Sequence, residues 1–426
     1  MAINKRLNTI FLAISTTLFL SACGESTSSK SGPDFGTADP GNGGGTPTFD
    51  ESKLINNLVD QVISPTFNAF SEQSINQLAA ISDYCTLEEN FTPDLDDPAS
   101  VSASLLVAKQ NWQDTMLIWQ QAEVMQMGPL IENDNELRNR IYSWPAYSYC
   151  GVDQDVAYFE DGMVNLDPNK PYDIKARTST RRGLFALQRL LFNEDYNHAC
   201  ITANDALSDW NSRTVQERKV ARCQFAKEVS KDLVDNSEEL LSKWNGDNGY
   251  ANELKNAGQP GNSFESTHAA VNVLSDAMFY TDSIVKDKKL GVPLGQFANS
   301  CGFEVCAEDV ESFDSGYSLA NIKANLVAFE KLFLGNLQGE DAKTGFDDFL
   351  VEEGASDTKD IMIQGINDAK NAATQIDSEL KTALISENEK VEHAHAKVKD
   401  ITDQLKNDFI NKLALELPKS SAGDND

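Results

Sequence analysis

From Phe49 onward the chain places apolar residues three and four positions apart for most of its length, the spacing of one helical face. Leu54, Leu58, Ile63 and Phe67, followed by Phe70, Ile75, Leu78 and Ile81, predict an opening helical hairpin that breaks near Pro65. Leu105, Ala108, Trp112, Met116 and Trp119 form one stripe on the next predicted helix, which Gly128-Pro129 should stop. Near the other end, Val391, Ala394, Val398, Ile401, Leu405, Phe409 and Leu413 predict a helix that finishes before Pro418. Alternating apolar runs are rare, so the expected class is all-α, built as helical bundles. An internal echo suggests two of them: Gly183–Phe192 and Asn325–Leu334 share their apolar pattern, with Gln188 opposite Glu330 and Arg189 opposite Lys331. A duplication and two amphipathic helices of similar composition both account for that match. The expected organisation is a first bundle over 49–250, a second over 251–417, and an acidic tail over 418–426.

The N-terminal pattern is different. Lys5 and Arg6 precede an apolar run from Ile10 to Leu20, the layout of a secretion signal. Leu20-Ser21-Ala22-Cys23 is similar to a lipobox, so residues 1–22 are expected to be removed and Cys23 to be lipidated. Residues 23–48 are rich in Gly, Ser, Pro and Thr and should act as a flexible tether. Gly24, rather than Asp, after the lipidated cysteine suggests sorting to an outer membrane, facing the periplasm. The net charge is −30 and becomes more negative once the basic leader is removed. That balance argues against nucleic acid as a partner and for a self-repelling surface.

Seven cysteines leave six once Cys23 is set aside, an even number for a chain maturing in an oxidising compartment. Pairing nearest neighbours along the chain predicts Cys85–Cys150, Cys200–Cys223 and Cys301–Cys306. A zinc site would need ligand spacings that these cysteines do not show.

Several local patterns occur in order. Trp119-Gln-Gln-Ala-Glu123 is followed by Met127-Gly128-Pro129 and by Arg140-Ile-Tyr-Ser-Trp144-Pro145. Lys289-Leu-Gly-Val-Pro293-Leu-Gly295 comes later, then Glu311-Ser312 with Ser315, Ser318 and Asn325. Together these resemble the imelysin family. The resemblance implies a two-bundle helical fold with a cleft between the bundles, an association with bacterial iron uptake and, in the founding member, insulin-cleaving peptidase activity.

The family's signature is Gly-x-His-x-x-Glu on a helix. The matching stretch here is Gly183-Leu184-Phe185-Ala186-Leu187-Gln188. Residues i and i+3 share a helix face, so a histidine and a glutamate there could hold one metal ion. Phenylalanine offers no lone pair, and a glutamine amide is neither an anionic ligand nor a general base at neutral pH. The expectation is a degenerate motif with no catalytic residue and no bound metal, iron included, packed as core.

Around it, Glu123, Arg140, Trp144, Arg182, Glu311, Ser312, Ser315 and Ser318 are candidates for a residual cleft. Glu123 continues the Trp112 stripe inward and needs a cationic partner, which Arg140 or Arg182 could provide; a structural ion pair is the competing reading. Glu392-His393-Ala394-His395 is expected to be solvated, because residues two apart point in different directions and the apolar stripe runs through Ala394. Glu311–Gly316 lacks an adjacent histidine and should cap the helix starting near Leu319. The favoured function is a non-catalytic envelope lipoprotein that binds a small ligand or another envelope component in iron acquisition. The alternatives are a metallopeptidase with displaced ligands, drawn from Glu123, Glu265 with His268, and Glu311, and a structural scaffold.

Overall fold

The computed structural model describes residues 49–337 and 343–418. The proposed signal, Cys23, the tether and residues 419–426 lie outside the described residues. Helices make up the fold, and the described residues contain isolated bridges but no strands.

The first half comprises α1 (Glu51–Asn57), α2 (Ser64–Asn90), α3 (Ala99–Val124), α4 (Glu132–Ile141), α5 (Tyr149–Asp161), α6 (Gly183–Phe192) and α7 (Val215–Asn245). After α8 (Tyr250–Lys255) and α9 (Thr267–Asp276), the second half adds α10 (Ser318–Leu334), α11 (Phe346–Glu352), α12 (Ser356–Thr374), α13 (Leu380–Ser386) and α14 (Asn388–Gln404). The first bundle is centred on α2, α3 and α7, and the second on α10, α12 and α14; α10 also packs on α3 and joins the two. Glu51 of α1 holds Thr267 and His268 of α9, and the Asn57 amide donates to the carbonyls of Gly335 and Thr344.

The expected hairpin break at Pro65 does not occur. A π-helical stretch at Leu58–Ile63 links α1 directly to α2, and Pro65 falls in the first turn of α2, accommodated by the wider winding that precedes it. The Trp112 stripe is buried as expected, with Trp112, Met116 and Trp119 fully enclosed. So is the C-terminal stripe from Val391 to Leu413. Gly128-Pro129 does follow the end of α3. Gly128 has φ +47°, and a Cβ there would lie 2.5 Å from the Tyr250 ring. The echoed segments are both buried helix: Glu330 pairs with Lys370 at 2.5 Å, and Arg189 pairs with Asp153 at 3.0 Å.

Two disulfides close, and only one matches the nearest-neighbour expectation. Cys301 bonds Cys306, and Cys150 bonds Cys200. The expected Cys85–Cys150 and Cys200–Cys223 pairs do not form: Cys150 and Cys200 bond each other, and Cys85 on α2 and Cys223 on α7 are buried free thiols.

Candidate functional site: a closed motif beside a buried charged network

Gly183 begins α6 with φ +68°, and a Cβ there would sit 2.3 Å from the Ile141 carbonyl oxygen. Only glycine fits that approach, so the first motif position is held by backbone geometry irrespective of chemistry. Phe185 is 3% exposed. Its ring stacks on Tyr147 at 4.7 Å and lies 5.2 Å from Tyr149, so aromatic side chains fill the space around the position of the family's histidine. Gln188 is also buried, and its Oε1 accepts from the Ser315 hydroxyl at 3.4 Å. Among the described residues no group of three or more His, Cys, Asp or Glu is placed to hold a metal ion. The side chains present do not fit a metal: one motif position has no donor atom, and the other offers an amide already engaged by Ser315.

The remaining sequence elements converge on a second feature, directly connected through the Glu311–Ser318 loop. Glu123 is fully buried and pairs with Arg138 at 2.5 Å, neither Arg140 nor Arg182 being its partner. Arg138 also donates to the Trp144 carbonyl at 2.9 Å. Lys289, likewise fully buried, lies 3.0 Å from Glu311 Oε2 and donates to Gln120 Oε1 at 2.5 Å and Asn325 Oδ1 at 2.9 Å. Its ammonium sits over the Trp144 and Tyr280 rings, at 5.8 and 5.6 Å. Tyr142 donates to Glu311 Oε1 at 3.0 Å.

Two carboxylates thus face two cations in a site that excludes water, an arrangement that is stable only with every member present. Burial pushes the Glu123 carboxyl upward, with Arg138 and Lys289 pulling the other way. Burial beside Glu311 and Glu123 lifts the Tyr142 and Tyr280 phenols well above their ordinary range, so both remain protonated.

The other candidates separate cleanly. Ser318 donates to the Glu311 carbonyl, Asn321 donates to Ser312 Oγ at 3.0 Å, and the one Ser315 hydroxyl proton is shared between Gln188 and the Ser312 carbonyl, the latter 3.1 Å away. These hydroxyls pin the loop; the expected cap of α10 is absent, since the residue before Ser318 is Tyr317, which makes no side-chain cap. Arg140 and Arg182 instead line a polar recess of about 610 Å³ with Lys175, Asp232, Asp235 and Glu239. Each cation there has an acidic partner: Arg140 with Glu239, Arg182 with Asp232, and Lys175 with Asp235.

Of the alternative metal sources, Glu123 and Glu311 meet in the buried charged network, where Arg138 and Lys289 pair with them, and the others lie elsewhere. His268 is held between Glu51 and the Ala414 carbonyl, and Glu265 is exposed. His395 is buried, with Nδ1 3.3 Å from Gln296, correcting the expectation that both histidines of that pair are solvated; His393 is exposed.

Arg138, Tyr142, Tyr280 and Lys289 complete the network and were not among the expected site residues. Arg138 lies two residues before the Arg140 element, on a different helix face. Lys289 opens the Leu-Gly-Val-Pro element, and its burial could have been inferred only from the apolar residues that follow it.

The profile of the family described as Imelysin matches residues 64–407. The chain belongs to the imelysin family. Two solved structures share its fold. One, described as an iron-regulated protein A precursor from Parabacteroides distasonis, has a TM-score of 0.64 at 16% identity and covers 88% of this chain and 98% of its own. The other, an imelysin-like protein from Psychrobacter arcticum, has a TM-score of 0.54 at 14% identity and covers 87% and 99%. No curated protein matches. Within the imelysin fold of this chain, the Trp-Gln-Gln-Ala-Glu, Trp-Pro, Lys-Leu-Gly and Glu-Ser elements meet in the Glu123–Lys289 network, whereas the Gly-x-x-x-x-Gln motif forms its aromatic-packed neighbour.

Proposed function

We propose that this chain is a non-catalytic imelysin-family protein of the cell envelope, lipid-anchored through Cys23, that binds a ligand or a protein partner in bacterial iron acquisition. The observation that carries the non-catalytic reading is Phe185, buried among tyrosines at the motif position where the family has histidine. Gln188, neutral and bonded to Ser315, supports it. The envelope location rests on the Lys5-Arg6 and Ile10–Leu20 pattern and on Leu20-Ser21-Ala22-Cys23. No helix among the described residues is long and apolar enough to cross a membrane, so the lipid would be the attachment. The Parabacteroides protein, described as iron-regulated, supports the link to iron.

The test is to purify the chain without chelator, measure bound iron, zinc and copper, and assay cleavage of an unfolded protein substrate. The expected outcome is substoichiometric metal and no cleavage that a chelator abolishes. Stoichiometric metal together with chelator-sensitive cleavage would instead establish a peptidase with displaced ligands.

A further inference from the structure

The two longest helices of the first bundle, α2 and α7, pack antiparallel in a constant register. The Trp244 indole donates to Ser64 Oγ at 2.8 Å, and the Ser237 hydroxyl donates to Ser71 Oγ at 3.2 Å. Each step is seven residues forward on α2 and seven back on α7, two helical turns that return to the same face. Two further steps of the same size arrive at Cys85 on α2 and Cys223 on α7. Both are buried free thiols, at 1% and 2% exposure, and Cys85 is the group that acts most strongly on the Cys223 thiol.

Helix axes packed about 8–10 Å apart, with Cα atoms about 2.3 Å from each axis, bring facing Cα atoms to about 3.4–5.4 Å, which overlaps the range a disulfide spans. The structure pairs every other cysteine among the described residues, Cys150 with Cys200 and Cys301 with Cys306. From the register and the shared burial of the two thiols in the seam, we infer that Cys85 and Cys223 form a third disulfide, which staples α2 to α7.

Formation removes one proton and one electron from each thiol and makes one S–S bond. The two electrons pass by thiol–disulfide exchange to the disulfide of an oxidoreductase or of oxidised glutathione, which leaves as the reduced dithiol form. Cys85 and burial together hold the Cys223 thiol far above the ordinary range, so little thiolate is available once the helices have docked. The bond therefore closes during folding, while the seam is still accessible. Its effect is to fix one end of the seam on which α6, the motif helix, also packs.

The full chain, matured in an oxidising compartment, is unfolded in guanidinium with iodoacetamide and no reductant, digested, and mapped by mass spectrometry. Only chains carrying an intact Cys150–Cys200 link are scored, which certifies that the oxidant was present. The expected result is a linked Cys85–Cys223 peptide pair, no alkylation at either residue, and loss of the pair after reduction. Alkylation of both cysteines in those chains would overturn the inference. The Cys85→Ala variant adds a partner test: Cys223 should change from unlabelled to labelled, and an unlabelled Cys223 would mean that its partner lies elsewhere. If that variant does not accumulate, the wild-type map still decides.

Discussion

Replacing Lys289 with methionine removes one charge from the buried network while nearly preserving volume. The wild-type ammonium meets Glu311, Gln120 and Asn325 at 3.0, 2.5 and 2.9 Å. After the substitution, Arg138 is the only cation of the network left for two enclosed carboxylates, and Glu311 retains only its donors from Tyr142 and Gln120. Breaking a buried pair by deleting one partner costs about 3–5 kcal/mol, because the other charge stays desolvated. Unfolding entropy of about 2.1 cal/mol/K per residue, over roughly 370 residues, gives a slope of about 0.8 kcal/mol/K, so the apparent Tm should fall by about 4–6 °C. The assay is thermal unfolding at pH 7 of wild type, Lys289→Met, and Lys289→Met with Glu311→Gln. The double variant restores charge balance and should recover at least about half of the loss. A single variant within about 1 °C of wild type, or a double variant no better than the single, would refute the reasoning.

Further predictions follow from the same geometry. Gly183→Ala should destabilise by about 2 kcal/mol or more, through left-handed backbone strain and the clash with Ile141, measured by urea unfolding. Phe185→Ala should cost about 3–5 kcal/mol as a core cavity, read the same way; a neutral effect would contradict its role as packing. His268 lies between the Glu51 carboxylate and the Ala414 carbonyl, and its hydrogen bond to Glu51 raises its pKa above the ordinary value of 6.5. A raised histidine contributes stability that is complete below its unfolded pKa and is lost as pH rises through the folded one. Asp276, pushed up to about 6 by burial and by Glu416, acts in the same direction, since its ionisation costs more in the folded state. Amide exchange at α1 and α9 should therefore accelerate, relative to the intrinsic rate, between pH 6 and pH 8.5, and His268→Gln should flatten that dependence.

How far the fold and the site could be read from the sequence depended on what each feature requires. The Trp112 and Val391 stripes could be read because burial of one helix face is a periodic, local property. The identity of Glu123's partner could not. Arg138 and Arg140 are two residues apart and point about 200° apart on a helix, so which of them meets Glu123 depends on helix phase, which the inward stripe of another helix does not specify. Arg140 accordingly reaches the outer recess and Glu239.

Cys301–Cys306 formed as expected, but the other two expected disulfides failed for a related reason: nearest along the chain is not nearest in space once α2 and α7 run antiparallel. Pro65 predicted a break because proline usually ends helices, yet a preceding π-helical stretch accommodates it. The degenerate motif was legible, because the absence of a donor atom from phenylalanine is a matter of composition. The tyrosines closing around it were not, since Tyr147 and Tyr149 reach Phe185 only through the turn between α4 and α5.

The aromatic-packed face of α6 around Phe185 and Gln188 is open to a direct test by diffraction. Crystals of the wild-type chain grown with ferrous iron or with zinc, measured on both sides of the metal's absorption edge, should show no anomalous peak within coordination distance of Phe185, Gln188 or their neighbours. A well-occupied peak there, coordinated by side chains of this protein, would contradict the account.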